Sequence, residues 1–147
     1  MLTRIDHVGI ACRDLEESVA RYCSVFGLTV ASREVNEEQG VREAMLLVAT
    51  AGTAGPGGAS YIQLLEPLSP DSPVGKFLAR RGEGIHHMGY AVTDVRSALA
   101  EVAGTGVRLV DERPRHGSLG ASIAFLHPAD LGGVLTELVE PKRPDHG

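Results

Sequence analysis

The sequence predicts an α+β fold: two βαβββ modules forming an eight-stranded cupped sheet with helices on its outer face. Three observations predict it. The chain repeats itself, its strand-like segments alternate between large apolar residues and small or polar ones, and a capped amphipathic helix follows the first strand of each repeat.

The repeat is read directly. Shifted by 80 positions, residues 5–20 meet residues 85–100, and Ile5, His7, Gly9, Ala11, Asp14 and Ala20 fall on Ile85, His87, Gly89, Ala91, Asp94 and Ala100. That is six identities in sixteen positions, a self-similarity that marks duplicated structural units. The same offset carries GVREAML at 40–46 onto GASIAFL at 120–126, then drops to 74 where YIQLLEP at 61–67 meets LTELVEP at 135–141. The six-residue difference falls in the Gly/Ala-rich TAGTAGPGGAS at 50–60, a loop composition that tolerates insertion.

The elements follow in order. IDHVGIAC at 5–12 reads as the first strand. Asp14 reads as a helix N-cap, with Glu17 completing a capping box. Leu15, Val19, Tyr22, Cys23 and Phe26 make one apolar helix face, and Gly27 stops the helix. Strands are expected at about 28–35, 41–49 and 60–66. In EPLSPDSPVGKFLARRGEG, Ser72 as cap, Pro73 at the first position and Gly82 at the stop predict a short linker helix. The second module repeats the plan. GIHHMGYAV is a strand, Asp94 caps a helix carrying Val95, Leu99, Val102 and Ala103 that ends at Gly104 or Gly106, and strands are expected at about 107–113, 120–127 and 133–140. This organises residues 1–147 as a single domain, with module one at about 3–67, the linker at 68–84, module two at 85–141 and a loose tail at 142–147.

Composition narrows the function classes. The chain is 43% hydrophobic and 22% charged with a net charge of −5, which speaks against a general nucleic-acid binder. No apolar run approaches the roughly 20 residues of a membrane span, and the N-terminal MLTRIDHVG lacks the apolar stretch of a signal peptide. Cys12 and Cys23, eleven apart and outside any CxxC, are expected to be reduced and partly buried in a cytoplasmic protein.

Alternation assigns the faces, because successive strand side chains point to opposite sides. Val8 and Ile10, like Met88, Tyr90 and Val92, belong under the helices. His7 shares the other face with Gly9 and Ala11, and His87 shares it with Gly89 and Ala91. Small neighbours leave room in front of each imidazole. His86 then lies on the helix side, with no evident role. Gln63 sits between Tyr61 and Leu65, and Glu137 between Leu135 and Val139. So flanked, they need partners: either a hydrogen-bonded pair across the pseudo-twofold or a shared metal. A metal accounts for all four positions: two imidazoles, one amide oxygen and one carboxylate, two from each module. This N/O set suits a divalent first-row ion with coordination sites left for substrate, and by itself does not choose among cobalt, manganese, nickel, iron and zinc. Glu43 stands where the duplicate has Ile123. It is either a solvent-exposed strand residue or a functional carboxylate.

These residues carry a resemblance. The paired HVGIA and HHMGYAV strands resemble the vicinal oxygen chelate, or glyoxalase-like, superfamily. Within it, SPVGKFLARRGEGIHHMGYAV and AFLHPADLGGVLTELVEP, with Glu43 and Gln63, resemble the methylmalonyl-CoA epimerase family from Ile5 to Pro141. The resemblance implies a divalent metal held by His7, Gln63, His87 and Glu137, with Co2+ the expected ion and Mn2+, Ni2+ or Zn2+ the alternatives. It implies Glu43 and Glu137 as the catalytic acid/base pair, an acyl-CoA substrate whose (2R) and (2S) forms are interconverted, and a homodimer. The chemistry asks for such parts. Removing the α-proton of a thioester leaves negative charge on oxygen, which a metal can stabilise, and epimerisation needs a proton removed on one face and returned on the other.

Two other readings share the fold. A glyoxalase I-like lyase is disfavoured by Gln63 and the two long segments. A non-catalytic binding protein of the bleomycin-resistance kind is disfavoured by the intact ligand set and by Glu43. Lys76, Arg80, Arg81, Arg113 and Arg115 are loop or helix-end cations of the kind that could meet a CoA tail, but exposed charges are usually just solvated, and none is assigned a site. His127 in FLHPAD is expected to shape a turn, His116 to lie in a loop and His146 in the tail.

Overall fold

A computed structural model describes residues 1–50 and 58–143. Most of the insertion loop (51–57) and the end of the tail with His146 (144–147) lie outside the described residues. The elements run β1 (Leu2–Ala11), α1 (Leu15–Phe26), β2 (Thr29–Asn36), β3 (Val41–Ala49), β4 (Ser60–Pro67), α2 (Pro73–Arg81), β5 (Gly84–Val92), α3 (Val95–Gly104), β6 (Arg115–His116), β7 (Ser122–Leu126) and β8 (Thr136–Glu140). The predicted βαβββ order is present twice.

The chain divides into two compact units, one of His7–His86 and one in which His87 onward is joined by Met1–Asp6. In the first unit the strand order is β2-β3-β4-β1. In the second it is β5-β8-β7-β6, with the opening residues of β1 beside β5, where Thr3 Oγ1 donates to the Ala91 carbonyl at 3.2 Å. The first and last strands of each module pair in parallel, β1 with β4 and β5 with β8. The β2/β3, β3/β4, β7/β8 and β6/β7 pairings are antiparallel.

The two module helices are held by the same devices. Asp14 Oδ1 accepts from the Glu17 N–H and Asp94 Oδ1 from the Ser97 N–H, both at 3.0 Å. A second carboxylate reaches each helix from the last strand of its module. Glu66 Oε1 accepts from the Leu15 N–H at 3.2 Å, and Glu140 Oε1 from the Val95 N–H at 3.0 Å. Each acid answers an N–H that the helix itself leaves unpaired, at the positive end of the helix dipole. Gly27 takes the left-handed conformation (φ 68°) and donates to the Cys23 carbonyl, as the stop signal predicts.

Beneath α1, Leu15 and Val19 pack with Cys12, Ala44, Leu46 and Leu64. Beneath α3, Val95, Ala98 and Leu99 pack with Val92, Ala124, Leu126 and Leu138. Both helices therefore cover the strand face opposite to the predicted site, as alternation requires. The linker helix does not. Val74 and Leu78 of α2 pack with Ala11, Val41 and Leu65, on the face that carries His7 and Gln63. Its apolar residues, one turn apart, serve equally well on either side of a sheet.

Three local expectations change. The strand expected at 107–113 reduces to a single bridge, Leu109 with Leu126, and β6 forms instead at Arg115–His116. Pro114 has no N–H to give a ladder, and the Asp111 carboxylate takes the Phe125 N–H at 2.9 Å, where a strand would offer a carbonyl. The strand expected from 133 starts at Thr136, after Gly132 and Gly133 with φ of 68° and 89°. Phe26 is 65% exposed, outside the helix face it was expected to complete. His127 does shape a turn, its Nδ1 accepting from the Ala129 N–H at 3.1 Å. Cys12 and Cys23 are free thiols, one buried and one half-buried. No helix among the described residues is long and apolar enough to cross a membrane.

His86 gains a structural account. Its ring meets Phe77 of α2 edge-on, with centroids 5.0 Å apart and planes at 81°, and the Arg81 guanidinium lies 5.8 Å from the Phe77 centroid. Burial pushes the His86 pKa down to about 4.

Two outcomes follow for α2. A Cβ added at Gly75 would sit 2.4 Å from the Ser69 carbonyl oxygen and 2.7 Å from that of Pro70. Gly75→Ala is expected to cost about 1–3 kcal/mol, read as a lower denaturation midpoint. His86 is neutral when folded, while in the unfolded chain it protonates near the ordinary histidine value of 6.5. Its stabilising contribution is thus complete above pH 6.5, falls with pH, and is gone below about 4. Urea unfolding of wild type should weaken across that window by about 2–3 kcal/mol more than urea unfolding of His86→Phe. Equal slopes would show that His86 stays solvated.

Candidate active site

Each module builds its part of the site from the same register. In the first unit, β1 and β4 place Gly9 opposite Gln63, and β3 and β4 place Met45 opposite Gln63 and Glu43 opposite Leu65. In the second unit, β5 and β8 place Gly89 opposite Glu137, and β7 and β8 place Phe125 opposite Glu137 and Ile123 opposite Val139. Gly9 corresponds to Gly89, Gln63 to Glu137, Met45 to Phe125 and Glu43 to Ile123. His7 and His87 stand two residues before their glycines, on the same face.

All five predicted site residues are buried: His7, Glu43 and Gln63 in the first unit, His87 and Glu137 in the second. Glu43, at 3% exposure, is not a solvent-facing strand residue. Gln63 Nε2 donates to Glu43 Oε2 at 2.9 Å in a buried hydrogen bond. A carboxylate accepts and an amide nitrogen donates, so this contact fixes which way the Gln63 amide is turned. Its Nε2 is committed to Glu43, and Oε1 is the amide atom with ligand chemistry.

In the second unit, His87 Nε2 and Glu137 Oε2 are 3.9 Å apart. That is too long for a hydrogen bond. It is within reach of one ion, since metal bonds of about 2.0–2.2 Å from nitrogen and oxygen span such a gap. The pair therefore fits a divalent cation. The His87 ring meets Phe125 edge-on, with centroids 5.4 Å apart at 84°. Phe125 thus restricts the imidazole plane, and the Asp111 bond to its backbone N–H anchors that strand. Sequence reasoning gave Phe125 and Asp111 no part in the site. The only available signal was that Phe125 aligns with Met45, which lies beside Gln63. Beyond Phe125 the same face is apolar, a cluster of Ala121, Ile123 and Val139.

The duplicate makes the cost of Glu43 testable. Ile123, 1% exposed, shows that an aliphatic side chain fills this position in the same architecture. Burying a carboxylate opposes folding even when it is hydrogen-bonded. Glu43→Ile is therefore expected to stabilise the protein, by about 0.5–2 kcal/mol. Thermal unfolding checks this, and a fall in melting temperature would mean that the Gln63 bond outweighs the desolvation of the acid.

The profile of the Glyoxalase/Bleomycin resistance protein/Dioxygenase superfamily matches residues 6–125. A Glu-to-Gln variant of Streptomyces coelicolor methylmalonyl-CoA epimerase, solved in complex with 2-nitronate-propionyl-CoA, is 52% identical. It superposes with a TM-score of 0.93 over 97% of this chain and 100% of that one. A methylmalonyl-CoA epimerase solved in complex with methylmalonyl-CoA and NH4+ is 54% identical, with a TM-score of 0.90 over 95% of this chain and 94% of that one. The Cereibacter sphaeroides ethylmalonyl-CoA/methylmalonyl-CoA epimerase is 34% identical over 140 residues, covering 94% of this chain and 98% of the relative. This chain belongs to the Glyoxalase/Bleomycin resistance protein/Dioxygenase superfamily and, within it, to the methylmalonyl-CoA epimerase family of isomerases.

Proposed function

We propose that this isomerase interconverts (2R)- and (2S)-methylmalonyl-CoA by removing and returning the α-proton, in a metal-dependent reaction with His7, Gln63, His87 and Glu137 as the metal ligands. The observation that carries the reading is Glu43. A carboxylate is buried and hydrogen-bonded at a position that the second module fills with Ile123, which structure alone does not require. The substrate class comes from the relatives, two of which are named with acyl-CoA ligands bound.

The ligand set is two imidazoles, one amide oxygen and one carboxylate, a hard and borderline mixture that suits a first-row divalent ion. Co2+ is our first assignment, with Mn2+, Ni2+ or Zn2+ able to serve the same donors. When bound, the ion supplies Lewis-acid stabilisation of the negative charge that develops on the thioester oxygen.

The chain supplies the rest. Glu43 takes or returns the proton on one face of the α-carbon, held by Gln63 in a position from which it can act. Glu137 is assigned the opposite face and shares its carboxylate with the metal, which makes it the weaker base of the two. Gly9, like Gly89, carries no side chain beside its histidine, which favours room for a substrate there, whereas the space over Ala11 is taken by Val74 and Leu78 of α2. Burial of all five polar side chains keeps competing water out. The Cereibacter sphaeroides relative is named for ethylmalonyl-CoA as well, and we extend the proposal to that substrate. We further propose one domain of two modules, acting as a cytoplasmic homodimer.

The test is α-hydrogen exchange. With Co2+ or Mn2+, methylmalonyl-CoA followed by NMR in deuterium oxide should lose its α-proton signal. Chelator should stop the exchange and added metal restore it. Glu43→Gln should keep the metal and lose about 100-fold or more of the rate. No exchange at ample enzyme with either metal would overturn the reading, and near-wild-type exchange by Glu43→Gln would remove Glu43 from the reaction.

A further inference from the structure

Positions 63 and 137 are duplicates in one register, yet one is an amide and the other a carboxylate. Their surroundings differ in one respect that chemistry can use. Two residues from Gln63's partner Met45 on β3 stands Glu43, and two residues from Glu137's partner Phe125 on β7 stands Ile123. The acid at 137 has an aliphatic neighbour. Where the neighbour is itself an acid, the side chain is an amide and donates to it at 2.9 Å. A glutamate at 63 would set two buried acceptors against each other, whereas a glutamine presents an N–H to one side and an oxygen to the other.

We infer that Gln63 is a positioning residue for Glu43: its amide N–H holds the carboxylate in place, and this duty explains why the first module carries an amide where the second carries a metal-binding acid. Metal ligation alone would be served by either side chain, since both present an oxygen. The inference rests on the reading of Glu43 as the base and adds the group that aims it. A base displaced by even about 1 Å loses roughly 100-fold in rate.

The experiment is a donor–acceptor exchange between the two positions. Q63E removes the donor, and E43Q/Q63E rebuilds the same bond with the roles reversed. At pH 8, chelator-treated Q63E is expected to melt roughly 5 °C below wild type, and the double variant to recover at least half of that loss. With Mn2+ bound, Q63E should exchange the substrate α-hydrogen about 100-fold more slowly with KM within about threefold of wild type, the signature of a misplaced base rather than of lost substrate binding. The double variant should recover stability without recovering turnover, because no carboxylate remains at 43. A Q63E protein that fails to fold beside a double variant that folds is the same result in stronger form. The inference is overturned if Q63E melts with wild type and keeps its rate, or if the double variant melts no higher than Q63E. A wild-type protein that neither binds Mn2+ nor exchanges would sink the functional reading instead, while the melting comparison still decides the pair.

Discussion

The parallel pairing of the first and last strand in each module is the constraint on which the site depends. It sets Gly9 against Gln63 and Gly89 against Glu137, and so places one histidine and one further ligand candidate on the same face of each unit. A slip of one residue would turn every side chain of a strand to the other face. Two carboxylates guard against it. Glu66 lies three residues beyond Gln63 and Glu140 three beyond Glu137, and each takes the N–H of the first helical residue of its own module. The helix can begin only where that acid can reach it, so helix start, strand register and site geometry are fixed together. This gives the repeated EP at the end of each module a physical role: its glutamate ties the helix to the sheet.

On this common frame the modules have diverged where function would demand it. The helix side is alike in both, a cluster of Leu, Val and Ala under one helix. The site side is not. The second unit has an aliphatic cluster of Ala121, Ile123 and Val139, while the first has Glu43 in the place of Ile123. Hydrophobic burial favours the isoleucine at that position, so a buried acid there opposes stability and is retained for another reason. The duplicate acts as an internal control that few single-copy folds offer. It shows what the architecture accepts when no acid is needed.

The sequence was legible where periodicity and repetition act together. The faces of His7, His87, Gln63 and Glu137 followed from alternation, and the helix caps at Asp14, Ser72 and Asp94 from local chemistry that needs no distant partner. Glu43 was ambiguous because alternation tells the side of a sheet but not its depth. Only the neighbouring strands and Gln63 decide that it is buried. The segment at 107–113 misled because its apolar content reads as a strand, while Pro114 and the Asp111 side chain take away the ladder. The role of His86 was hidden because its partner, Phe77, lies on another element, and an edge-on ring contact leaves no trace in local sequence.

The linker helix sets how dry the surroundings of Glu43 are. Amphipathic spacing predicts α2 but not which side of the sheet it covers, and it covers the side of the site in the first unit. Leu65, which α2 packs against, is the direct cross-strand partner of Glu43. The helix therefore closes off from water the strand region on which Glu43 sits, and the Phe77–His86 contact ties it to the strand that continues into His87. In a dry setting a hydrogen bond to a carboxylate is worth more than in water, and an unanswered one costs more. The Gln63 donor is thus a consequence of the helix as much as of the acid. Once α2 shuts out water beside Glu43, a protein group must supply what solvent no longer can.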